Sequence, residues 1–181
     1  FHLTEAHIFK RFWLNSWGKF DVDIKGGIQW DQVPYPLLIM PAANPSYIQQ
    51  PRTFSLINTM EFANDRYVSL MLAWDMNGKI LNRIPLAKKL YWREYLGLRM
   101  LWGDLSDKHN TYLPENAGNP RLMYFPEGMN IMTPNRPYAE MVIGVHNIFK
   151  FFRVEWVKRL TYKDLPSAPH WGIRYGVSLT F

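Results

Sequence analysis

The sequence predicts an all-β chain: an antiparallel transmembrane β-barrel, of which residues 1–181 supply the C-terminal seven or eight strands as one domain. Three observations carry that expectation. Stretches of about ten to twelve residues alternate apolar and polar side chains, the period of two expected of a strand with one apolar face. The apolar faces are rich in Trp, Met and Phe, while the opposite faces carry Asp21, Asp23, Arg93, Arg99, Glu140, Arg153 and Glu155 in mid-strand. The chain also ends on such a stretch, closing on Phe181 instead of trailing off in polar residues.

Taken in order, "TEAHIFKRFWLN" (4–15) reads as a first strand whose faces are blurred by Lys10 and Trp13. "KFDVDIKGGIQW" (19–30) is the clearest, with Phe20, Val22, Ile24, Ile28 and Trp30 set against Lys19, Asp21, Asp23, Lys25 and Gln29. "TFSLINTMEF" (53–62) fits either another strand or part of a folded loop. "RYVSLMLAWDM" (66–76) places Val68, Leu70, Leu72, Trp74 and Met76 opposite Tyr67, Ser69, Ala73 and Asp75. "WREYLGLRMLW" (92–102) opposes Leu96, Leu98, Met100 and Trp102 to Arg93, Tyr95, Gly97 and Arg99, and "YAEMVIGVH" (138–146) opposes Ala139, Met141, Ile143 and Val145 to Tyr138, Glu140, Gly144 and His146. In "FFRVEWVKRLTY" (151–162), Phe152, Val154, Trp156, Leu160 and Tyr162 face away from Arg153, Glu155, Arg159 and Thr161, with Lys158 a misfit on the apolar side. The last strand runs from Trp171 through Ile173, Tyr175, Val177 and Leu179 to Phe181.

Connector lengths give the order of the two ends. Short turns near "SWGK" and "NIFK" and a medium one at "NGKILNRIPLAKK" alternate with long stretches at roughly 31–65 and 103–137. Outer-membrane barrels have this asymmetry, and Trp17, Trp30, Trp92, Trp102 and Trp171 near strand ends fit their aromatic girdles. Periodicity alone fits a soluble antiparallel sandwich equally well. The mid-strand charges favour the barrel, where a polar lumen receives them. "LNRIPLAKKLYW" (81–92) is read as a plain structured turn or as a short amphipathic turn at the membrane surface.

Bulk composition narrows the function classes. The net charge is +6, aromatics make up 16%, and there is no cysteine, so disulfide, zinc-thiolate and thiol-nucleophile chemistry fall away. No apolar run reaches the length of a transmembrane helix. His2, His7, His109, His146 and His170 are scattered without metal-ligand spacing, and "GGIQ" and "WGDLSD" lead into no helix as a phosphate loop would. Basic residues do not share a surface with stacking aromatics, which argues against nucleic acid. The expectation is a non-enzymatic protein with no catalytic residue, metal or cofactor. The missing strands of the barrel are expected upstream.

The ending "RYGVSLTF" resembles the terminal recognition signal of bacterial outer-membrane β-barrels, with Arg174, Gly176, Leu179 and Phe181 in the signal positions. The resemblance implies reading by the barrel-assembly machinery through β-augmentation. Further segments, "VPYPLL" (33–38), "MEFANDRYVSL" (60–70), "LNRIPLAKKLYWREYLG" (81–97) and "GVHNIFKFFRVEWVKRL" (144–160), resemble a Bacteroidota outer-membrane family whose longer members carry a carboxypeptidase-regulatory-like domain in front. That family is similar in layout to the insertase and two-partner-secretion barrels, which implies sixteen strands. There "LGLRMLWGDLSD" (96–107) resembles the strand with an aromatic-x-Asp-x-Gly-like motif, which an Arg-Gly-Phe or Arg-Gly-Tyr loop tip contacts inside the lumen. This chain has no such tripeptide in 31–65. Arg52 and Arg66 are the arginines near it, and one of them is expected to pair with Asp104.

These readings make Arg52, Arg66, Arg99, Asp104, Glu140, Arg153 and Glu155 candidate lumen charges. The expected partners are outer-membrane lipids, the assembly machinery, and a translocated polypeptide or surface lipoprotein, in the outer membrane of a Gram-negative bacterium. The expected role is envelope biogenesis or the transport and assembly of polypeptide or surface material. A receptor-type or structural barrel without transport, and a soluble β-sandwich binding module, are the alternatives.

Overall fold

A computed structural model describes residues 1–177, apart from the side chains of residues 86 and 87. The alternating segments form strands β1 (Leu3–Trp13), β2 (Lys19–Gln29), β4 (Arg66–Asp75), β5 (Arg93–Asp104), β7 (Tyr138–Ile148), β8 (Phe152–Arg159) and β9 (Trp171–Val177). Two short strands, β3 (Phe62–Ala63) and β6 (Asn130–Ile131), lie within the long connectors and pair in parallel. The seven long strands make one sheet in the order β1-β2-β4-β5-β7-β8-β9, every neighbouring pair antiparallel. Among the described residues the sheet is open, with β1 and β9 as its edges. Segment 53–62 belongs to a folded connector, with only Phe62 entering a strand. The seventh strand is described to Val177, so the expected continuation through Leu179 and Phe181 lies outside the described residues.

Register fixes which side chains share a face. The row Ile8, Ile24, Leu70 and Met100 runs across four strands, as does the row Glu5, Gly27, Tyr67 and Gly103 on the other side. The apolar side is uncovered among the described residues: Ile8, Ile24, Val68, Leu96, Ile143 and Ile173 are all exposed. Every buried side chain of the seven-stranded sheet except Ala139 points the other way.

Packing therefore sits on the ionic side. The long connectors fold across it, and their apolar residues cluster there: Phe54, Ile57 and Phe62 with Leu101, Tyr138 and Tyr162, and Val33, Leu38 and Ala63 with Leu105 and Met129. Phe54 and Phe62 meet the Tyr138 ring edge-on at 5.6 and 6.2 Å, the geometry that ring quadrupoles favour. Tyr162 departs from the alternation expected of it. β8 ends at Arg159, the chain turns at Tyr162 with φ 52°, and its ring is buried in that cluster. Lys158 stays on the outer side, exposed, with its ammonium 5.9 Å from the Trp156 ring.

One extended piece of the 31–65 connector reaches the free edge of β9. Gln49 N–H donates to the Tyr175 carbonyl at 2.7 Å, and Tyr175 N–H to the Tyr47 carbonyl at 2.8 Å. The connector thus spans the covered side from β2 to the far edge.

Candidate functional site

On the covered side, β5, β7, β8 and β9 present Arg99, Glu140, Glu155, Arg159 and Arg174, all buried. Their alternation in the strands points them inward together. Into this cluster the connector inserts Ser55, Leu56 and Glu61. Glu140 is the hub. Its carboxylate accepts Ser55 N–H at 2.9 Å, Leu56 N–H at 3.1 Å, the Tyr138 hydroxyl at 2.8 Å and Arg99 Nη1 at 3.0 Å.

The other charges close around it. Arg99 Nη1 also donates to Ser55 Oγ at 2.8 Å, and its Nη2 lies 3.8 Å from Glu155. His146 Nε2 is 3.0 Å from the other Glu155 oxygen and stacks on Tyr95 at 4.4 Å. Arg159 donates to the Leu56 carbonyl at 2.9 Å and to Glu61 at 2.5 Å. Arg174 donates to the Ser55 carbonyl. Three guanidiniums thus balance three carboxylates, which is what buried charge requires. Their joint effect is to hold a loop against the sheet through its backbone.

The expected lumen charges divide. Arg99, Glu140 and Glu155 meet in this cluster. Arg153 lies on the same side, lining a cavity of about 420 Å³ together with Arg93, Arg11 and Asp21. Arg52 does not approach Asp104: its Nε donates to Asp23 at 2.8 Å. Arg66 does pair with Asp104, at 2.7 Å. That pair is not on the covered side, however. Residues 66 and 104 are in register and share the face of Val68 and Trp102, so the pair sits at the outer rim of the apolar side. The period of two had already assigned even numbers in β4 and β5 to that side.

Charges of β1 and β2 pair across the two strands. Arg11 binds Asp21 through two bonds of 2.6 and 2.8 Å, His7 reaches Asp23 at 3.0 Å, and Lys25 meets Glu5 at 3.0 Å. This is a neutralised charge ladder.

Of the terminal-signal positions, Arg174 and Gly176 are described. Gly176 lies opposite Arg153, and a Cβ there would stand 2.1 Å from Arg153 Nε. The glycine lets the arginine cross β9. Leu179 and Phe181 lie outside the described residues.

At the long-loop end a second polar cluster ties the two long connectors. His109 is fully buried, with Nδ1 3.0 Å from Asp65 Oδ2 and Nε2 2.9 Å from the Asp31 carbonyl. Ser106 donates to the same Asp65 oxygen through its hydroxyl and, at 3.1 Å, its N–H. Burial alone raises the Asp65 carboxyl, but the His109 and Ser106 hydrogen bonds outweigh it and leave the group below its usual value. Although Ser, His and Asp meet here, both ring nitrogens of His109 are engaged with acceptors, so the cluster is a pin and offers no base to the serine. Among the described residues no group of three His, Asp or Glu side chains is placed to hold a metal ion. Sequence reasoning missed Glu61 and the Ser55–Leu56 backbone, which no periodicity marks. It placed Arg159 inward without making it a candidate, although Arg153, Glu155 and Arg159 share one parity.

Over residues 1–113 the sequence matches a model described as "Family of unknown function (DUF5686) C-terminal domain". The chain belongs to that family. The matched stretch covers β1 through β5 and the whole inserted connector, while Glu140, Glu155, Arg159 and Arg174 of the DUF5686 cluster come from residues beyond it. No curated protein and no solved structure matches this DUF5686 chain.

Proposed function

We propose that this DUF5686 domain is part of an outer-membrane β-barrel whose lumen is occupied by the 31–65 connector, with a non-enzymatic role in envelope biogenesis or in moving polypeptide or surface material. One observation carries the reading: the uncovered side of the sheet is apolar, and the covered side holds the ion pairs. A soluble sandwich has the opposite polarity, with its apolar sides in contact. Strands of ten to twelve residues, as in β1, β2, β4, β5 and β7, suit a tilted crossing of the hydrocarbon layer. Edge strands left with open backbone groups are untenable in lipid, so further strands complete the ring. The resemblance to a Bacteroidota family similar in layout to sixteen-stranded insertase and secretion barrels supplies the finer form of the proposal, including a regulatory-like domain in front and recognition of the "RYGVSLTF" segment by the assembly machinery.

The test uses the full-length protein. It is expected to leave membranes only with detergent and to migrate faster on a gel unheated than heated. A detergent-free, monodisperse protein in water would end the proposal. The second reading, a receptor-type or structural barrel, is favoured by how firmly the connector is held. Planar-bilayer conductance separates the two: transport predicts a conductance that rises when the Glu140 grip is released, and a receptor-type barrel stays closed.

A further inference from the structure

The three connections at the turn end form one surface with an unusual composition. They are residues 14–18, 76–92 and 149–151, between β1 and β2, β4 and β5, and β7 and β8. Together they hold Lys79, Arg83, Lys88, Lys89 and Lys150 and no acidic residue. The connections at the other end hold Asp31, Glu61, Asp65, Asp107, Glu115, Glu127 and Asp164 against Arg52, Lys108, Arg121, Arg136 and Lys163. The molecule is therefore polarised end to end. The carboxylates that border the turn end are spent internally: Glu94 accepts the N–H of Ile80 at 2.9 Å and that of Leu81, and Asp75 accepts the N–H of Asn77 at 3.2 Å and lies 3.9 Å from Lys19, so the 76–92 excursion is folded without neutralising its own cations.

The same surface projects apolar side chains. Trp17, Ile80, Ile84, Tyr91 and Phe149 are 44 to 75% exposed. Tyr91 and Phe149 hold φ of 53° and 52°, a left-handed conformation costly for bulky residues, and both rings face outward. Seventeen residues, 76–92, join β4 to β5 where a hairpin needs two to five. The turns are also tied to one another. Lys79 Nζ donates to Ser16 Oγ at 3.0 Å and lies 5.2 Å from the Trp17 ring, and Asn147 Nδ2 donates to the Tyr91 carbonyl at 2.7 Å.

We propose that this end is a docking surface for anionic phospholipid headgroups, with Lys79, Arg83, Lys88 and Lys89 meeting phosphates and Ile80, Ile84, Tyr91 and Phe149 immersed at the acyl boundary. This rests on the reading that the sheet crosses a membrane. A bilayer is favoured over an acidic protein because the exposed apolar face of the sheet runs directly into this end, so one continuous apolar medium covers both. Cations beside apolar residues at such a boundary are held by the lipid surface potential and by burial together.

The experiment places full-length protein in nanodiscs of phosphatidylcholine with or without phosphatidylglycerol. The chain lacks cysteine, so nitroxides are introduced singly at Ile24→Cys, Tyr91→Cys and Phe149→Cys on a background free of other accessible thiols. The label at 24 is expected in the hydrocarbon and the labels at 91 and 149 at the headgroup level. Spin-labelled phosphatidylglycerol is expected to associate several-fold more than phosphatidylcholine, at roughly 5-fold per effective cation. That preference should vanish in K79Q/R83Q/K88Q/K89Q and at about 1 M salt, where the Debye length is about 3 Å. A buried label at 24 with water-exposed labels at 91 and 149 overturns the docking surface and leaves the membrane reading standing. A water-exposed label at 24 overturns the membrane reading itself. Labels at 91 and 149 shielded in isolated cell envelopes but water-exposed in nanodiscs overturn the proposal in favour of an acidic protein partner.

Discussion

Glu140→Gln is the most informative single change. The carboxylate takes four donors: two backbone N–H groups of the inserted connector, the Tyr138 hydroxyl and Arg99. Glutamine keeps one acceptor oxygen and turns an NH2 group toward the other donors; the Tyr138 hydroxyl can rotate to accept from it, but a backbone N–H cannot, so at least one bond to the connector is lost. Hydrogen bonds to a charged acceptor contribute about 1.5–3 kcal/mol each, and removing one partner of a buried pair costs about 3–5 kcal/mol. The change also leaves three buried guanidiniums facing two carboxylates. We expect a loss of about 3–5 kcal/mol in reversible urea unfolding in detergent micelles, followed by tryptophan fluorescence. Protease cleavage within 31–65 should accelerate in parallel. Arg99→Met combined with Glu140→Gln should cost less than the sum of the two, because the second change removes a charge already stranded. A Glu140→Gln protein within about 1 kcal/mol of the parent, with additive behaviour in the double variant, would refute the argument that this hub holds the connector.

Ile24→Lys, in the centre of β2 on the open side, should cost about 2–4 kcal/mol in a bilayer, whereas an exposed position in water tolerates it; unfolding in lipid against refolding yield in detergent reads the difference. Gly103→Ala would bring a Cβ within 2.3 Å of Asn64 Oδ1 and 2.7 Å of Met132 Sδ, and overpacking of this kind costs about 1–3 kcal/mol by the same urea titration. Arg66→Ala removes a rim pair whose arginine is half exposed, so less than about 1 kcal/mol should be lost. Asp65 ionises below its ordinary 3.8, so the tie to His109 and Ser106 is fully present above that pH and fades as pH falls through the lowered value. Hydrogen exchange across 105–111 should quicken on acidification in that window, and Asp65→Asn should abolish the pH dependence.

Strands and their two faces were legible because a period of two needs only local sequence. Ile24 and Asp23 declare opposite sides of β2 whatever else the chain does. The inward meeting of Arg99, Glu140 and Glu155 followed from the same parity once register was set. The connector's path was not legible: Ser55 meets Glu140 across 85 positions, and no local pattern encodes that closure. Arg66 and Asp104 show a different kind of miss. The pairing was anticipated, yet its side was taken from analogy when the parity of Val68 and Trp102 gave it directly. Tyr162 marks where alternation overruns its strand, because a left-handed turn reverses a side chain without altering the apolar pattern.

With the packed clusters gathered beside the ion pairs, the two surfaces of this ribbon can be edited independently. Replacing Ile8, Ile24, Val68, Leu96, Ile143 and Ile173 with threonine or lysine touches none of the contacts that hold the connector. A water-compatible version of the domain would therefore keep its interior intact, and that interior could then be studied without a bilayer.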